Sequence, residues 1–179
     1  MLTVRPIRNP EDIPSLTACD TAFTTDRIYR VVQTDRAFAL EEAMVESPLR
    51  KAYPPAAMVE ELPRMDYAAV AELDGNVVGC ATVKYEPWNR RATLWHLYVS
   101  APWRRRGVGR ALVDAVVTFS RSVGSRCVWL ETQNVNFPAI GFYRAAGFRF
   151  CGLDTSLYDP RSDVREEIAL FFVYDLVWA

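Results

Sequence analysis

Residues 99 to 112 read VSAPWRRRGVGRAL, the order of a strand end, a turn and the start of a helix. The apolar run LWHLYV meets Pro102, the arginines Arg104, Arg105 and Arg106 follow, and Gly107 and Gly109 then open a helical pattern. The first N–H groups of a helix have no partner within it, and the helix dipole adds partial positive charge, so an anion is favoured there. Glycines at 107 and 109 remove the Cβ atoms that would hold a phosphate away from the main chain. Arg104, Arg105, Arg106 and Arg110 bring charge and forked donors suited to phosphate oxygens. The stretch predicts a pyrophosphate cradle. It is neither of two commoner phosphate motifs: the dinucleotide fingerprint needs a third glycine and a later acid, and the P-loop needs Gly-Lys-Ser/Thr. On residue types alone, a solvated basic helix start and a nucleic-acid patch stay open.

A single histidine, His96, stands on the apolar run just before the cradle, and its side chain titrates near neutrality, which suits proton transfer. A strand histidine can equally be a satisfied structural residue. Glu131 ends another apolar run, CVWLE, and is a second candidate for moving a proton or orienting a cation.

The elements that position these residues follow from patterning. With 179 residues and half of them hydrophobic, the chain is expected to form a single domain, 1–179, with a real core. A formal net charge of −1 argues against a protein that works by neutralising phosphates over a broad surface, so no nucleic-acid partner is expected. Cys19, Cys80, Cys127 and Cys151 are widely spaced, without the close pairs of zinc or redox sites. They are expected to be buried thiols in a reducing cytoplasm, with no metal. No signal core or long apolar span is read, so neither secretion nor a membrane is expected.

Residues 2 to 8 predict a strand, and 9 to 20 a helix. FTTDRIYRVVQTD and RAFALEEAMVE predict a hairpin. Pro48, Pro54, Pro55 and Pro63 forbid a long helix or central strand over 47–65, which reads as a surface crossing and a candidate lid. YAAVAEL and VVGCATVKYE flank a glycine turn and predict a second hairpin, and a strand over 92–99 feeds the cradle. Leu112, Val113, Val116, Val117 and Phe119 fall at helical spacing. CVWLET, residues 137 to 146, FRFCGL and IALFFVYDLVW then predict strand, helix, strand and central strand. The sum is a layered α/β or α+β domain. Edge strands and the C-terminal apolar run leave a homodimer open.

Arg104, Gly107 and Gly109 at their spacing resemble the acetyl-CoA signature of the GNAT family of N-acetyltransferases. A second motif stands in the order that family shows: Asn136, Ala139, Phe142 and Tyr143 after the next strand, then Gly147 and Phe148. FTTDRIYRV, WNRR, WLETQNVNFPAIGFYRAAGF and CGLDTSLYD further resemble stretches of the streptothricin acetyltransferases within it. The resemblance implies the GNAT fold: a mixed, mostly antiparallel sheet flanked by helices, with acetyl-CoA as co-substrate in a splay between two central parallel strands. The implied reaction is acetyl transfer to a primary amine, the amine of the β-lysine portion of streptothricin. The scaffold serves many amines, so a polyamine, an aminoglycoside or a protein lysine stays an alternative acceptor, as does a non-catalytic acyl-CoA sensor.

The resemblance also implies roles. Leu97, Tyr98 and Val99 would offer main-chain groups to the acetyl carbonyl and pantetheine. Arg104, Arg105, Arg106, Gly107, Gly109 and Arg110 would form the pyrophosphate site, mostly through main-chain N–H groups and with at least one arginine facing solvent, and Asn136 would contact the pantetheine amides. Tyr143 would protonate the leaving thiolate. Asn136 also suits a helix cap, and Tyr143 core packing beside Phe142. Relatives often carry an acid on the strand before the cradle. Trp95 and His96 stand there instead, which leaves His96, Glu131 or solvent as the base. A polycationic acceptor calls for carboxylates and aromatic faces, and Asp26, Glu131, Asp154, Asp159 and Tyr158 lie in the matching stretches, with Trp88 as a further aromatic.

Overall fold

The computed structural model describes residues 1–159, 161 and 167–176. Its contacts sort the chain into two compact units interleaved along the sequence: Met1–Ala22, Ala52–Leu130 and Tyr174–Ala179 form the first, Phe23–Lys51 and Glu131–Val173 the second. Val177 and Trp178, the end of the C-terminal apolar run, lie outside the described residues.

In the first unit β1 (Leu2–Pro6), β4 (Tyr67–Leu73), β5 (Asn76–Glu86), β6 (Arg91–Val99) and β7 (Cys127–Gln133) lie in the order β1-β4-β5-β6-β7. Neighbours are antiparallel from β1 to β6, and β7 is parallel to β6. The β4–β5 hairpin turns at Asp74 and Gly75, both with positive φ, as the DGN sequence predicts. Val78 to Val83 of β5 are all buried, because both faces of this strand are covered.

Helix α3 (Val108–Ser122) covers one face, burying Leu112, Val113, Val116 and Val117 while Arg110, Asp114 and Thr118 face water. A Cβ added to Gly79 would stand 3.4 Å from Leu112 Cδ1, so odd residues of β5 here look towards α3. The adjacent Cys80 looks the opposite way, into a cluster with Leu16, Met58 and Val70. Leu16 belongs to α1 (Ile13–Thr17) and Met58 to α2 (Pro55–Glu61), so these short helices cover the second face. The predicted helix over 9–20 is thus confined to Ile13–Thr17. Residues 9–12 form turns, and Asp12 holds them to β1 by accepting from Arg5 Nη1 and Nη2 at 2.7 and 2.9 Å and from the Arg8 N–H at 2.7 Å. The 47–65 stretch is not only a surface crossing. It contains α2 and a one-turn 3-10 helix, Leu62–Arg64, and Met58 is fully buried.

In the second unit β2 (Phe23–Gln33) and β3 (Phe38–Lys51) form the predicted hairpin as a two-stranded sheet of its own. Pro48 is tolerated in β3 because that strand has β2 as its single partner in the two-stranded sheet. β7 enters this unit at Glu131, and the order continues β7-β9-β8, with β8 (Arg149–Asp154) antiparallel to β9 (Ala169–Asp175). Helix α4 (Phe137–Ala145) buries Ile140 and Tyr143. Cys80 and Cys127 are buried as expected, but Cys19 is half-buried and Cys151 exposed, since β8 ends the strand order and leaves its first residues open.

Candidate active site

The parallel ladder of β6 and β7 runs from Arg91 opposite Cys127 to Thr93 opposite Trp129. Among the described residues it goes no further, although β6 continues to Val99 and β7 to Gln133. Beyond Thr93, β6 therefore has no ladder partner on that side among the described residues. On the other side β6 stays paired with β5 up to Val99 opposite Gly79, and the Ser100 N–H donates to Val78 O at 2.9 Å. Main-chain groups along a strand alternate in direction, so Tyr98 faces β5 as Ser100 does, while Leu97 and Val99 turn theirs away. The Val99 carbonyl agrees with that direction, accepting from Arg104 Nε at 2.9 Å. The Leu97 and Val99 N–H groups thus point to the side where β7 has left the ladder. Among the described residues they meet no main-chain acceptor, so they can donate to a carbonyl in an extended chain.

Where β6 ends, the helix start is bare. Gly107 caps α3 with φ +82 and no side-chain hydrogen bond, and the first helical bond is Ala111 N–H to Gly107 O at 3.0 Å. The N–H groups of Val108, Gly109 and Arg110 are left over by helix geometry. Nothing lies within 4 Å of a Cβ placed on Gly107. Open space and convergent N–H donors fit a diphosphate.

The arginines divide. Arg104 does not present its side chain to an anion: Nε donates to Val99 O, Nη1 to Ala22 O at 2.5 Å and Nη2 to Asp20 O at 3.1 Å. It ties the 20–22 loop to the end of β6, which leaves main-chain N–H groups, and not its guanidinium, to meet a phosphate. Arg105 holds φ +62 in the turn, the Arg106 guanidinium lies 5.1 Å over the Trp103 ring, and Arg110 Nε donates to Asp114 at 3.1 Å. All three are exposed.

On the α1–α2 face of β6, His96 meets a partner that the sequence did not single out. Its Nδ1 lies 2.9 Å from Thr82 Oγ1, and its Nε2 lies 3.4 Å from Glu61 Oε2 at the end of α2. A bulge opposite Thr82 and Val83 leaves Trp95 with no partner in the register, and the Trp95 Nε1–H donates to the same Glu61 oxygen at 2.8 Å. The Tyr98 ring lies 5.6 Å from His96 and stacks on Tyr53. Burial pushes the His96 imidazole below its usual range against the opposing pull of Glu61, and burial pushes the Tyr98 hydroxyl up to about 12. Glu61 was missed because it lies in the proline-rich stretch, where charge reads as solvated surface.

The second unit holds the other expected residues. Glu131 and Tyr158 are brought together: the Tyr158 hydroxyl donates to Glu131 Oε1. Burial raises the Glu131 carboxyl, opposed by that hydrogen bond and by Lys51, while Glu167, itself 2.5 Å from Lys51 Nζ, raises it further. Burial and Glu131 push the Tyr158 hydroxyl far up, so it stays a donor. Asn136 caps α4, accepting from Ala139 N–H at 3.3 Å. Tyr143 is buried, its ring edge-on to Phe142 at 5.5 Å and to Phe148 at 5.7 Å.

The remaining acids are less committed to a site. Asp26 is exposed and 4.0 Å from Arg27. Asp154 accepts from the Ser156 N–H and hydroxyl, both at 2.7 Å, and these bonds hold its carboxyl below the usual range. Asp159 accepts from the Arg161 N–H at 2.9 Å. Both close turns. Asn134 is a further residue that sequence reading passed over. It is buried, donates from Nδ2 to Tyr29 O and accepts the Ile168 N–H at Oδ1, each at 2.8 Å, which fixes where β7 ends.

Comparison with known proteins meets this geometry from outside. The model of the Acetyltransferase (GNAT) family matches residues 27–148. A streptothricin acetyltransferase from Streptomyces lavendulae is 38% identical over 157 residues, covering 83% of this chain and 82% of that one. One from Escherichia coli is 29% identical over 166 residues and 92% of each chain. The crystal structure of a nourseothricin acetyltransferase is similar with a TM-score of 0.87 and 39% identity, over 97% of this chain and 98% of that one. The family model covers more than half of the chain and a relative is 38% identical over four fifths of it, so the chain belongs to the acetyltransferase (GNAT) family.

Proposed function

We propose that this enzyme transfers the acetyl group of acetyl-CoA to a primary amine of a streptothricin-type antibiotic, inactivating it. The observation that carries the acceptor is the 38% identity to a streptothricin acetyltransferase over four fifths of both chains. Acetyl-CoA supplies an acetyl group already activated as a thioester. The Val108, Gly109 and Arg110 N–H groups hold its diphosphate, and the Leu97 and Val99 N–H groups hold its extended arm and polarise the acetyl carbonyl. Fixed donors of this kind stabilise a developing oxyanion without reorganising.

The acceptor arrives as an ammonium. Freeing a lone pair at pH 7 from a group with a pKa near 10.4 costs about 4.6 kcal/mol, so a proton acceptor is needed. Glu131 with Tyr158 serves the cationic acceptor, its carboxylate stabilising ammonium groups. Tyr143 protonates the leaving thiolate and Asn136 contacts the pantetheine amides, the roles that family resemblance gives them. Asp26, Asp154 and Asp159 contribute through their field to drawing in a polycation. The enzyme acts as a monomer or a homodimer in the cytoplasm, and among the described residues no helix is long and apolar enough to cross a membrane.

Mass spectrometry of streptothricin incubated with enzyme and acetyl-CoA tests this. The expected product carries one added acetyl group, located by fragmentation on the β-lysine portion. An unmodified antibiotic beside an acetylated polyamine, aminoglycoside or lysine peptide would reassign the acceptor.

A further inference from the structure

We propose that Glu61 takes the proton from the acceptor ammonium, and that His96 is a positioning residue that holds the Glu61 carboxylate in place. The inference deepens the function proposed above and rests on it for the identity of the reaction.

The hydrogen-bond inventory at His96 assigns its protons. Thr82 is fully buried on β5, and among the described residues its hydroxyl has no acceptor other than His96 Nδ1. A buried hydroxyl that did not donate would carry an unsatisfied hydrogen, so Thr82 O–H donates to Nδ1. The imidazole, kept neutral by burial, then carries its hydrogen on Nε2, which faces Glu61 Oε2. Its one lone pair is occupied. His96 in this state donates to Glu61 and has no free site with which to take a proton.

Glu61 has the complementary arrangement. Oε2 accepts from Trp95 Nε1 and faces His96 Nε2, two ring N–H donors on successive residues made possible by the bulge at Trp95. Among the described residues Oε1 has no partner, and the carboxylate is about one third exposed. One oxygen is anchored and the other is open. α2 brings this acid to the part of β6 whose Leu97 and Val99 N–H groups turn away from β5, and does so from the face opposite α3. Trp95, half exposed beside the carboxylate, adds an aromatic face to a site for an alkyl ammonium.

The step balances as follows. Glu61 Oε1 takes one proton from the ammonium, and the freed lone pair forms the carbon–nitrogen bond at the thioester carbonyl. The carbon–sulfur bond breaks with its electron pair on sulfur, the sulfur takes the Tyr143 hydroxyl proton, the second nitrogen proton restores Tyr143, and Glu61 returns its proton to solvent. One proton is released per amide formed.

His96 is the single histidine, so its imidazole can be read alone in long-range proton–nitrogen spectra of the whole chain. Glu61 from α2 and Tyr98 from β6 are the titratable groups that face it, Thr82 and Trp95 the neutral ones. The expected spectrum is that of the Nε2–H tautomer, and Glu61→Gln lowers the midpoint of its titration. In steady-state kinetics Glu61→Gln lowers kcat/KM for the acceptor by about 100-fold or more at pH 7, recovering as pH approaches the amine pKa, with acetyl-CoA affinity within about twofold. His96→Gln, which keeps an N–H donor for Glu61, retains more activity than Glu61→Gln and leaves the acidic limb in place. An Nδ1–H tautomer with a free Nε2, or Glu61→Gln turning over at the wild-type rate, would overturn the proposal. Wild-type enzyme that acetylates another amine would displace the acceptor assignment alone, and both arms would then be read with that amine.

Discussion

At the residue scale the same charge means different things in different places, and the hydrogen-bond partners decide which. Arg104 was legible as part of a signature, but not as a tie between backbone carbonyls, because a sequence gives the charge of a guanidinium and not what its N–H groups meet. Glu131 was legible as a carboxylate at a strand end, and its environment adds a pH consequence. Burial raises its folded pKa above the ordinary carboxylate value. Between those two values the folded chain binds more protons than the unfolded one, so this group makes stability fall as pH rises through that window. Glu131→Gln keeps an acceptor for Tyr158 and removes the charge. Thermal melts should show the variant gaining on wild type from pH 4 to pH 8. A constant difference across that range would show that burial does not govern the group. His96 runs the opposite way: its lowered folded pKa gives stability that is present above about 6.5 and lost as pH falls towards the folded value.

At the element scale, local patterns carried most of the reading. The DGN turn, the spacing of Leu112, Val113, Val116 and Val117, and the glycines of the cradle each act within a few residues, and the elements they predict are present. The exact place where β6 leaves β7 is not local: it depends on a parallel register between strands separated by a helix, which periodicity does not encode. Short elements escaped for another reason. α2 has seven residues in a proline-rich stretch, and tertiary burial of Met58 holds it where propensity alone would not. The splayed strand also depends on Gly79 opposite Val99, where a Cβ would stand 2.5 Å from the Tyr98 carbonyl oxygen. That oxygen is backbone, so β6 must shift. Gly79→Ala should destabilise the fold by about 1–3 kcal/mol in urea titrations and raise the KM for acetyl-CoA, because the moved segment carries Leu97 and Val99. Unchanged stability would show that β6 has slack at this point.

At the scale of the whole molecule, family and fold were legible from two ordered motifs, and likeness to characterised relatives over most of the chain bears them out. Net charge near zero with a local arginine cluster fits an enzyme that binds one anionic co-substrate. The identity of the proton acceptor was not legible, because it is set by α2 meeting a bulged strand distant in sequence. The acceptor was legible only through stretches that resemble the streptothricin acetyltransferases, because the scaffold alone serves many amines. The most direct test of the account is the rate of thiol release from acetyl-CoA with streptothricin, compared with spermidine, an aminoglycoside and a lysine peptide at equal concentration. The account predicts saturable release with streptothricin at a kcat/KM at least about 100-fold above the other amines. Equal or higher turnover of any of the others, or no release with streptothricin beside tight acetyl-CoA binding, would contradict it.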